Sequence, residues 1–328
     1  MSYLDQLPKP FFVLAPMDDV TDSVFRRIVS RTAAPDLFFT EFVNVDGLQS
    51  PGRPRLVKKL QFTALERPLV AQVWGKRPEN FYKTAREIAD GTFAQSFGLP
   101  AGVNFAGIDL NMGCPVKEVV RNGCCSALMN NRELAVEIIR ATKEGAGSEL
   151  PVSVKTRTGF SEVDLSWHEL LLNQGLAMLT VHGRTRKEMS KQPADWDIIG
   201  EIRSLRDRLA PRTLIVGNGD VESRSRGLQL AERHGLDGVM IGRGVFHDPY
   251  VFSEDSPWKD QTKAQKIALF HEHVKLFAGT WPVGDRPVHT LNKFCKIYIN
   301  DFDGAKEARE KLMAATSPDH LLELLQAV

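Results

Sequence analysis

Cysteine is scarce in this chain of 328 residues: Cys114, Cys124, Cys125 and Cys295 are the four present. They form no CxxC pair and no zinc-ligand spacing, which speaks against a disulfide framework or a zinc module and fits a reducing, cytoplasmic setting. An excess of charge is missing too. The 42 basic and 41 acidic side chains leave a net charge of +1, so any nucleic-acid binding has to come from local patches. No apolar run approaches 18 residues, and the opening MSYLDQLPKP lacks a basic n-region and an apolar h-region. Neither a membrane span nor a secretory leader is expected. Low-complexity segments and repeated sequence motifs are absent as well. What is present is an ordinary globular balance, 42% hydrophobic and 25% charged, in a chain long enough to bury a sizeable core.

Eight short runs rich in Val, Ile, Leu or Phe recur at 11–17, 37–43, 69–75, 107–114, 151–157, 178–184, 213–219 and 238–244. Near-continuous apolar runs of this length suit parallel strands buried on both faces. Helical periodicity lies between them. Thr21–Arg31 is one helix, with Asp19 or Thr21 as its N-cap; Pro78–Ala89 is a second, and Arg132–Glu144, opened by Asn131, a third. Glu162–Asn173, Trp196–Leu205 and Glu222–Glu232 continue the pattern. Strand–helix alternation repeated eight times predicts an α/β fold, a (β/α)8 TIM barrel, over residues 1–250. The rival, a doubly wound open sheet, calls for a GxGxxG turn after the first strand, and APMDDVTD offers none. Residues 251–328 then read as a C-terminal α-helical domain. Ser253–Pro257 is its linker, and its helices are Gln261–Ala278, Val288–Asn300, Ala305–Ala315 and Pro318–Gln326.

In a barrel, the chemistry sits where the strands end. Gln72 lies on the third predicted strand, Asp109 and Asn111 share a face of the fourth, and Cys114 follows its end. Lys155 and Arg157 share a face of the fifth, His182 and Arg184 of the sixth. So many polar side chains at successive strand ends point to a site and not to a structural core. Asn218-Gly219-Asp220 and Gly242-Arg243-Gly244 close the last two strands. Glycines admit an anion to the backbone and Arg243 adds a bidentate donor, so the ligand is expected to carry a phosphate. FMN suits this layout: Lys155 stabilises a reduced, anionic ring, and Gln72 both donates to and accepts from its amide edge. The alternative is a lyase whose Lys155 forms a Schiff base with a phosphorylated carbonyl compound, which leaves Gln72 and Cys114 without work.

In order along the chain, APMDDVTDSVFR, TEFV, AQVWG, DLNMGCP, VSVKTR, VHGRT, NGD and MIGRG resemble the tRNA-dihydrouridine synthases. The likeness spans about residues 12–250, and the helical tail has the family's size and place. It implies a flavin-bearing barrel, a tail that helps hold tRNA, and NADPH-dependent reduction of the C5=C6 bond of particular uridines through FMN. Carried over position by position, Ala15, Pro16 and Met17 line the flavin through their backbone. Gln72 and Lys155 hold its ring with His182 beside them, and Asn218, Gly219, Asp220, Gly242 and Arg243 hold its phosphate. Cys114 matches the catalytic cysteine; Glu41, Asn111 and Arg184 match positions near the uridine or the RNA. The chemistry calls for such a group, because hydride added at C6 of a uracil leaves C5 in need of a proton.

Cys124 and Cys125 read as packing residues and Cys295 as core of the tail. Two departures from the resemblance stand out. The family usually has glycine where Asp19 stands, and glycine or alanine near Cys124 and Cys125. The segment 47–65 carries Arg53, Arg55, Lys58 and Lys59, the sixth strand is followed by Arg184, Arg186 and Lys187, and the tail contributes Arg286, Lys293 and Lys296. These are the candidate RNA contacts. No metal is expected, and the chain is expected to work as a monomer. Two other readings stay open: an FMN barrel oxidoreductase acting on a small ene-carbonyl or pyrimidine, and a tRNA-binding protein with a dispensable flavin activity.

Overall fold

The computed structural model describes residues 3–148 and 150–328. Its strands are β1 (Phe11–Leu14), β2 (Phe38–Phe39), β3 (Val43–Asn44), β4 (Leu69–Trp74), β5 (Gly107–Asn111), β6 (Val152–Arg157), β7 (Met178–His182), β8 (Leu214–Asn218) and β9 (Gly238–Ile241). They pair in parallel in the order β1-β9-β8-β7-β6-β5-β4-β2, with β3 also beside β4. A parallel bridge between Val13 and Leu37 closes the ring. The result is a TIM-type barrel in which β2 and β3 are two pieces of one stave, expected as a single strand over 37–43. The stave breaks at Thr40, whose hydroxyl takes the Gln72 N–H at 3.0 Å and donates to the Glu41 carbonyl at 2.7 Å.

Alternate residues of each strand point inward. At the lower end these are Phe11, Val13, Phe39, Val70, Met178 and Val216, which pack as one apolar plug with Met240. The opposite faces of the strands pack under the helices. Several helix starts follow from a side chain capping a free N–H. Asn131 accepts from Leu134 N as expected. The first helix, Ser23–Ala33, is capped by Asp22 accepting from Phe25 N at 2.9 Å. Neither Asp19 nor Thr21 takes that role, since the Thr21 hydroxyl is engaged by the N–H and carbonyl of Met17. Asp164 likewise shortens the helix expected at Glu162–Asn173 to Leu165–Leu172.

The tail is helical from Lys263–Thr280 onward, and no helix among the described residues is long and apolar enough to cross a membrane. The continuous helix expected at Val288–Asn300 is instead a 3-10 run, Val288–Phe294, followed by one α-turn, Cys295–Tyr298. Val288, Leu291 and Phe294 recur every third residue and all meet the core, a spacing that the tighter helix puts on one face. Phe294 lies 4.8 Å from Phe25 of the first barrel helix, ring centre to ring centre, and Trp281 Nε1 donates to Asp22 at 3.2 Å. Barrel and tail therefore share one uninterrupted hydrophobic core.

Beneath the first helix, Arg26 and Glu66 are fully buried as an ion pair at 2.7 Å. Arg26 also donates to the carbonyls of Thr21 and Gln61, while Ser23 and the Thr63 amide donate to Glu66. Burial pushes the Glu66 pKa up, against the pull of Arg26. An Arg26→Leu change strands that carboxylate and is expected to cost about 3–5 kcal/mol. Urea unfolding followed by tryptophan fluorescence measures this, and the Arg26→Leu/Glu66→Leu double variant should recover much of the loss. A parental midpoint for the single variant would sink the assignment.

Candidate active site

At the C-terminal ends of the strands a cavity of about 350 Å³ is lined by Ala15, Pro16, Met17, Lys155, His182, Asn218, Gly219, Asp220, Gly242 and Arg243. The barrel thus brings together every residue expected around the cofactor except Gln72, which is fully buried and outside this lining. His247 and Glu222 also line it; His247 follows the last strand in a loop, and Glu222, expected to open a helix, lies just before the helix that starts at Arg224. A larger cleft, about 650 Å³, opens among Pro151, Ala177 and Thr213. It lies at the N-terminal ends of the strands, the face of a barrel concerned with stability, so volume alone does not locate the chemistry.

Register explains the convergence. Asn111 pairs with Lys155 and Lys155 with Thr180, while Arg157, His182 and Asn218 are successive partners one pleat higher. Lys155 Nζ donates to Asn218 Oδ1 at 3.2 Å, and Asn218 Nδ2 to the Met240 carbonyl at 2.8 Å. Burial, then neighbouring Arg157, lowers the Lys155 pKa to about 8, which leaves the amine mostly cationic at neutral pH. His182 is held well below its ordinary value by burial and by the surrounding cations. Arg184 Nη1 lies 3.2 Å from His182 Nε2. A guanidinium only donates, so Nε2 accepts and the proton of the neutral ring sits on Nδ1.

Next to Asn218 in the same lining, Gly219 has φ +132, and a Cβ there would stand 2.6 Å from Ala194 Cβ. Only glycine fits. Asp220 does not offer its carboxylate to an anion. It accepts from Ala194 N at 2.9 Å, from Arg243 Nη2 at 3.2 Å and from Arg184. Burial alone would raise its pKa, but that amide and the two arginines hold it below the carboxylate norm. Its work is to hold Arg243 at the cavity rim.

Cys114 follows β5 on a tightly held turn. Its N–H and that of Gly113 donate to Asn111 Oδ1 at 3.0 and 3.1 Å, and Ser126 Oγ donates to its carbonyl at 2.8 Å. Arg157 Nε donates to the Gly113 carbonyl at 2.9 Å and Nη1 to the carbonyls of Thr185 and Met189, so one guanidinium ties this turn to the loop after β7. Beside the turn, Asn111 Nδ2 donates to Gln72 Oε1 at 3.1 Å and Gln72 Nε2 to Asp109 at 2.7 Å. A hydrogen bond from the Cys125 thiol to the Cys114 sulfur brings the Cys114 pKa down to about 7, against burial and with help from the Val116 amide and Arg157.

A family model described as "Dihydrouridine synthase (Dus)" matches residues 13–328. The chain belongs to the dihydrouridine synthase family. A "Probable tRNA-dihydrouridine synthase" of Staphylococcus aureus (strain COL) is 44% identical over 319 residues, covering 96% of this chain and 92% of the relative. The "Probable tRNA-dihydrouridine synthase 2" of Bacillus subtilis (strain 168) is 45% identical over 324 residues, 98% of this chain and 94% of the relative. Among solved structures, a 2-naphthoyl-CoA reductase in complex with 2-naphthoyl-CoA superposes with a TM-score of 0.51 at 11% identity, over 74% of this chain and 49% of that one. That likeness concerns the fold alone.

Of the residues set apart from the resemblance, Asp19 (φ +54) and Cys125 (φ +52) fall on left-handed backbone, whereas Cys124 is extended at φ −106. The chain path that suits glycine is kept with a side chain added. Cys125 is thus more than the packing residue expected, because burial keeps its own pKa well above the thiol norm and it remains a donor to Cys114. Cys124 and Cys295 are buried, as read. Asp19 donates its N–H to Glu41 at 2.8 Å and accepts Lys293 Nζ at its carbonyl at 2.7 Å. Arg286 is buried against Glu41 at 2.5 Å and Asp22 at 3.6 Å. Glu41 and Arg286 are therefore buried together in the seam between barrel and tail, and Lys293 reaches the edge of that seam at the Asp19 carbonyl while remaining, like Lys296, exposed. Arg184 is buried in the Asp220 network. In the basic stretch 47–65, Arg53 pairs with Glu87, Lys58 with Asp285 and Lys59 with Asp18.

Alkylation of Cys114 by iodoacetamide, followed by mass spectrometry, is expected to rise with a midpoint near pH 7. Cys125→Ala should move that midpoint upward, toward the free-thiol value of ~8.5. An unmoved midpoint would remove Cys125 from the account.

Proposed function

We propose that this family member is a tRNA-dihydrouridine synthase, reducing the C5=C6 bond of particular uridines in tRNA with FMN as cofactor and NADPH as reductant. One observation carries the reading: the Cys114 thiol, on a turn held by Asn111, Ser126 and Arg157, stands at the same barrel mouth as a cavity lined by the Lys155 cation and by the Gly219, Gly242 and Arg243 cradle. The relatives' names agree with it.

The residues present fit FMN. The Gly219 site has no room for a side chain, Gly242 adjoins Ala15, and Arg243 is held at the rim, a cradle for a phosphate. Lys155 would hold the ring with its positive charge, and Gln72, buried outside the cavity lining, has one N–H and one lone pair unused by Asp109 and Asn111. When bound, FMN supplies the hydride chemistry at C6 of the uracil.

This chain's own contribution is proton control. Cys114 delivers a proton to C5, and a pKa near the working pH makes it a competent acid of which about half is in the proton-bearing form at pH 7. The turn held by Asn111, Ser126 and Arg157 fixes where the sulfur stands. The acid form exists below the pKa and is lost above it, so the rate should decline as pH rises through about 7. The base must leave its stack to reach this mouth. The helical segment 251–328, with Lys296 exposed, holds the tRNA by phosphate contacts that weaken with salt.

The test supplies NADPH and either unmodified transcript or native tRNA from a strain lacking this gene, then maps dihydrouridine by nucleoside mass spectrometry. Product at a defined position supports the reading. No product from a yellow, NADPH-reducible protein would favour a small ene-carbonyl or pyrimidine substrate instead. Cys114→Ser should keep the flavin and lose roughly 10²–10⁴-fold in rate, the usual worth of a general acid. Parental turnover would refute the acid role.

A further inference from the structure

Asp109 is fully buried on β5 and outside the cavity lining, yet it ends a chain of hydrogen bonds that reaches the reactive cysteine. Ser153 Oγ donates to its Oδ1 at 2.6 Å and Gln72 Nε2 to its Oδ2 at 2.7 Å. Asn111 Nδ2 donates to Gln72 Oε1 at 3.1 Å, and Asn111 Oδ1 accepts the Gly113 and Cys114 amides at 3.1 and 3.0 Å.

The ends of this chain differ in kind. An ionised carboxylate only accepts and a backbone N–H only donates, whereas each side-chain amide between them can lie either way round. Turning either amide over sets N–H against N–H at one contact and oxygen against oxygen at the next. With the carboxylate at one end and the Cys114 amide at the other, a single arrangement satisfies every bond, and in a dry interior the unsatisfied arrangement is costly.

We propose that Asp109 is a positioning residue for both halves of the site: it fixes which way round the Gln72 amide lies beside the flavin-bearing mouth of the proposed function and, through Gln72 and Asn111, steadies the Cys114 turn. The proposal rests on the flavin reading above. It assigns work to an acid that touches neither cofactor nor substrate.

The experiment titrates FMN into apoprotein by fluorescence quenching for the parent, Asp109→Ala, Asp109→Asn, Gln72→Ala and the Asp109→Ala/Gln72→Ala double variant. Circular dichroism and thermal unfolding check that each is folded. Asp109→Ala should lose about tenfold or more in affinity, the size of one charge-assisted hydrogen bond. Because Asp109 acts through Gln72, the double variant should bind no more weakly than Gln72→Ala. Asparagine can still accept from Gln72 and donate to Ser153, so Asp109→Asn should stay within about threefold of the parent, the gap between a charged and a neutral bond. Additive losses, parental affinity in folded Asp109→Ala, or an Asp109→Asn variant as weak as alanine would each overturn the proposal; if the alanine variants do not fold, a folded Asp109→Asn that binds FMN about tenfold or more weakly than the parent overturns it. A parent that binds no FMN would instead bring down the flavin reading itself.

Discussion

A closed parallel barrel sends every second side chain into its own interior, and the rest of this structure answers to that constraint. Near the bottom the inward residues are apolar and fill the space. One pleat up they are Gln72, Asp109 and Ser153, with no bulk water to satisfy them, and Lys155, half-buried at the open cavity. Each must find a partner from a neighbouring strand or from a ligand. The four-residue chain from Ser153 to Asn111 is the first solution, and the open mouth around Lys155, His182 and Asn218 is the second. The same alternation therefore produces a rigid side and a receptive side of one ring.

Loops above the ring are held by charge. Arg157 spans three carbonyls from two loops, Asp220 holds two arginines, and Glu41 is buried between Arg286 and the Asp19 amide. Burial pushes the Glu41 pKa up, and Arg286 opposes that shift. Such pairs contribute position more than stability. Their effect here is that the first loop of the barrel, which carries Ala15 to Met17, is braced by the tail and cannot be described apart from it.

Much of this was legible in the residues. Eight staves could be read because runs such as LVAQVW and MLTVH are apolar on both faces, as only a covered parallel strand requires. Period two then placed Lys155, His182 and Asn218 on the inner face at the strand ends. What escaped reading depends on contacts between distant segments. Nothing local in TEFV shows that Thr40 will take the Gln72 amide and split the stave. Nothing in RPVHTLNKFCK shows that Arg286 turns back and is buried against Glu41 when an RNA contact was expected. Asp22 won the helix cap because Thr21 was already engaged by Met17, a competition between neighbours that spacing cannot rank. The Cys125 thiol came into view only once a left-handed turn had aimed it at Cys114.

The continuous core under Phe25, Phe246 and Phe294 has one more consequence. Two bodies on a flexible tether lose orientational freedom whenever a ligand bridges them, and that loss subtracts from affinity. Here the segment Ser253–Pro257 is not a hinge, since aromatic packing and the Arg286–Glu41 pair hold tail and barrel at one angle. The choice among uridines in the proposed substrate then becomes a matter of rigid geometry: the distance from tail to barrel mouth is a built-in ruler, set when the chain folds.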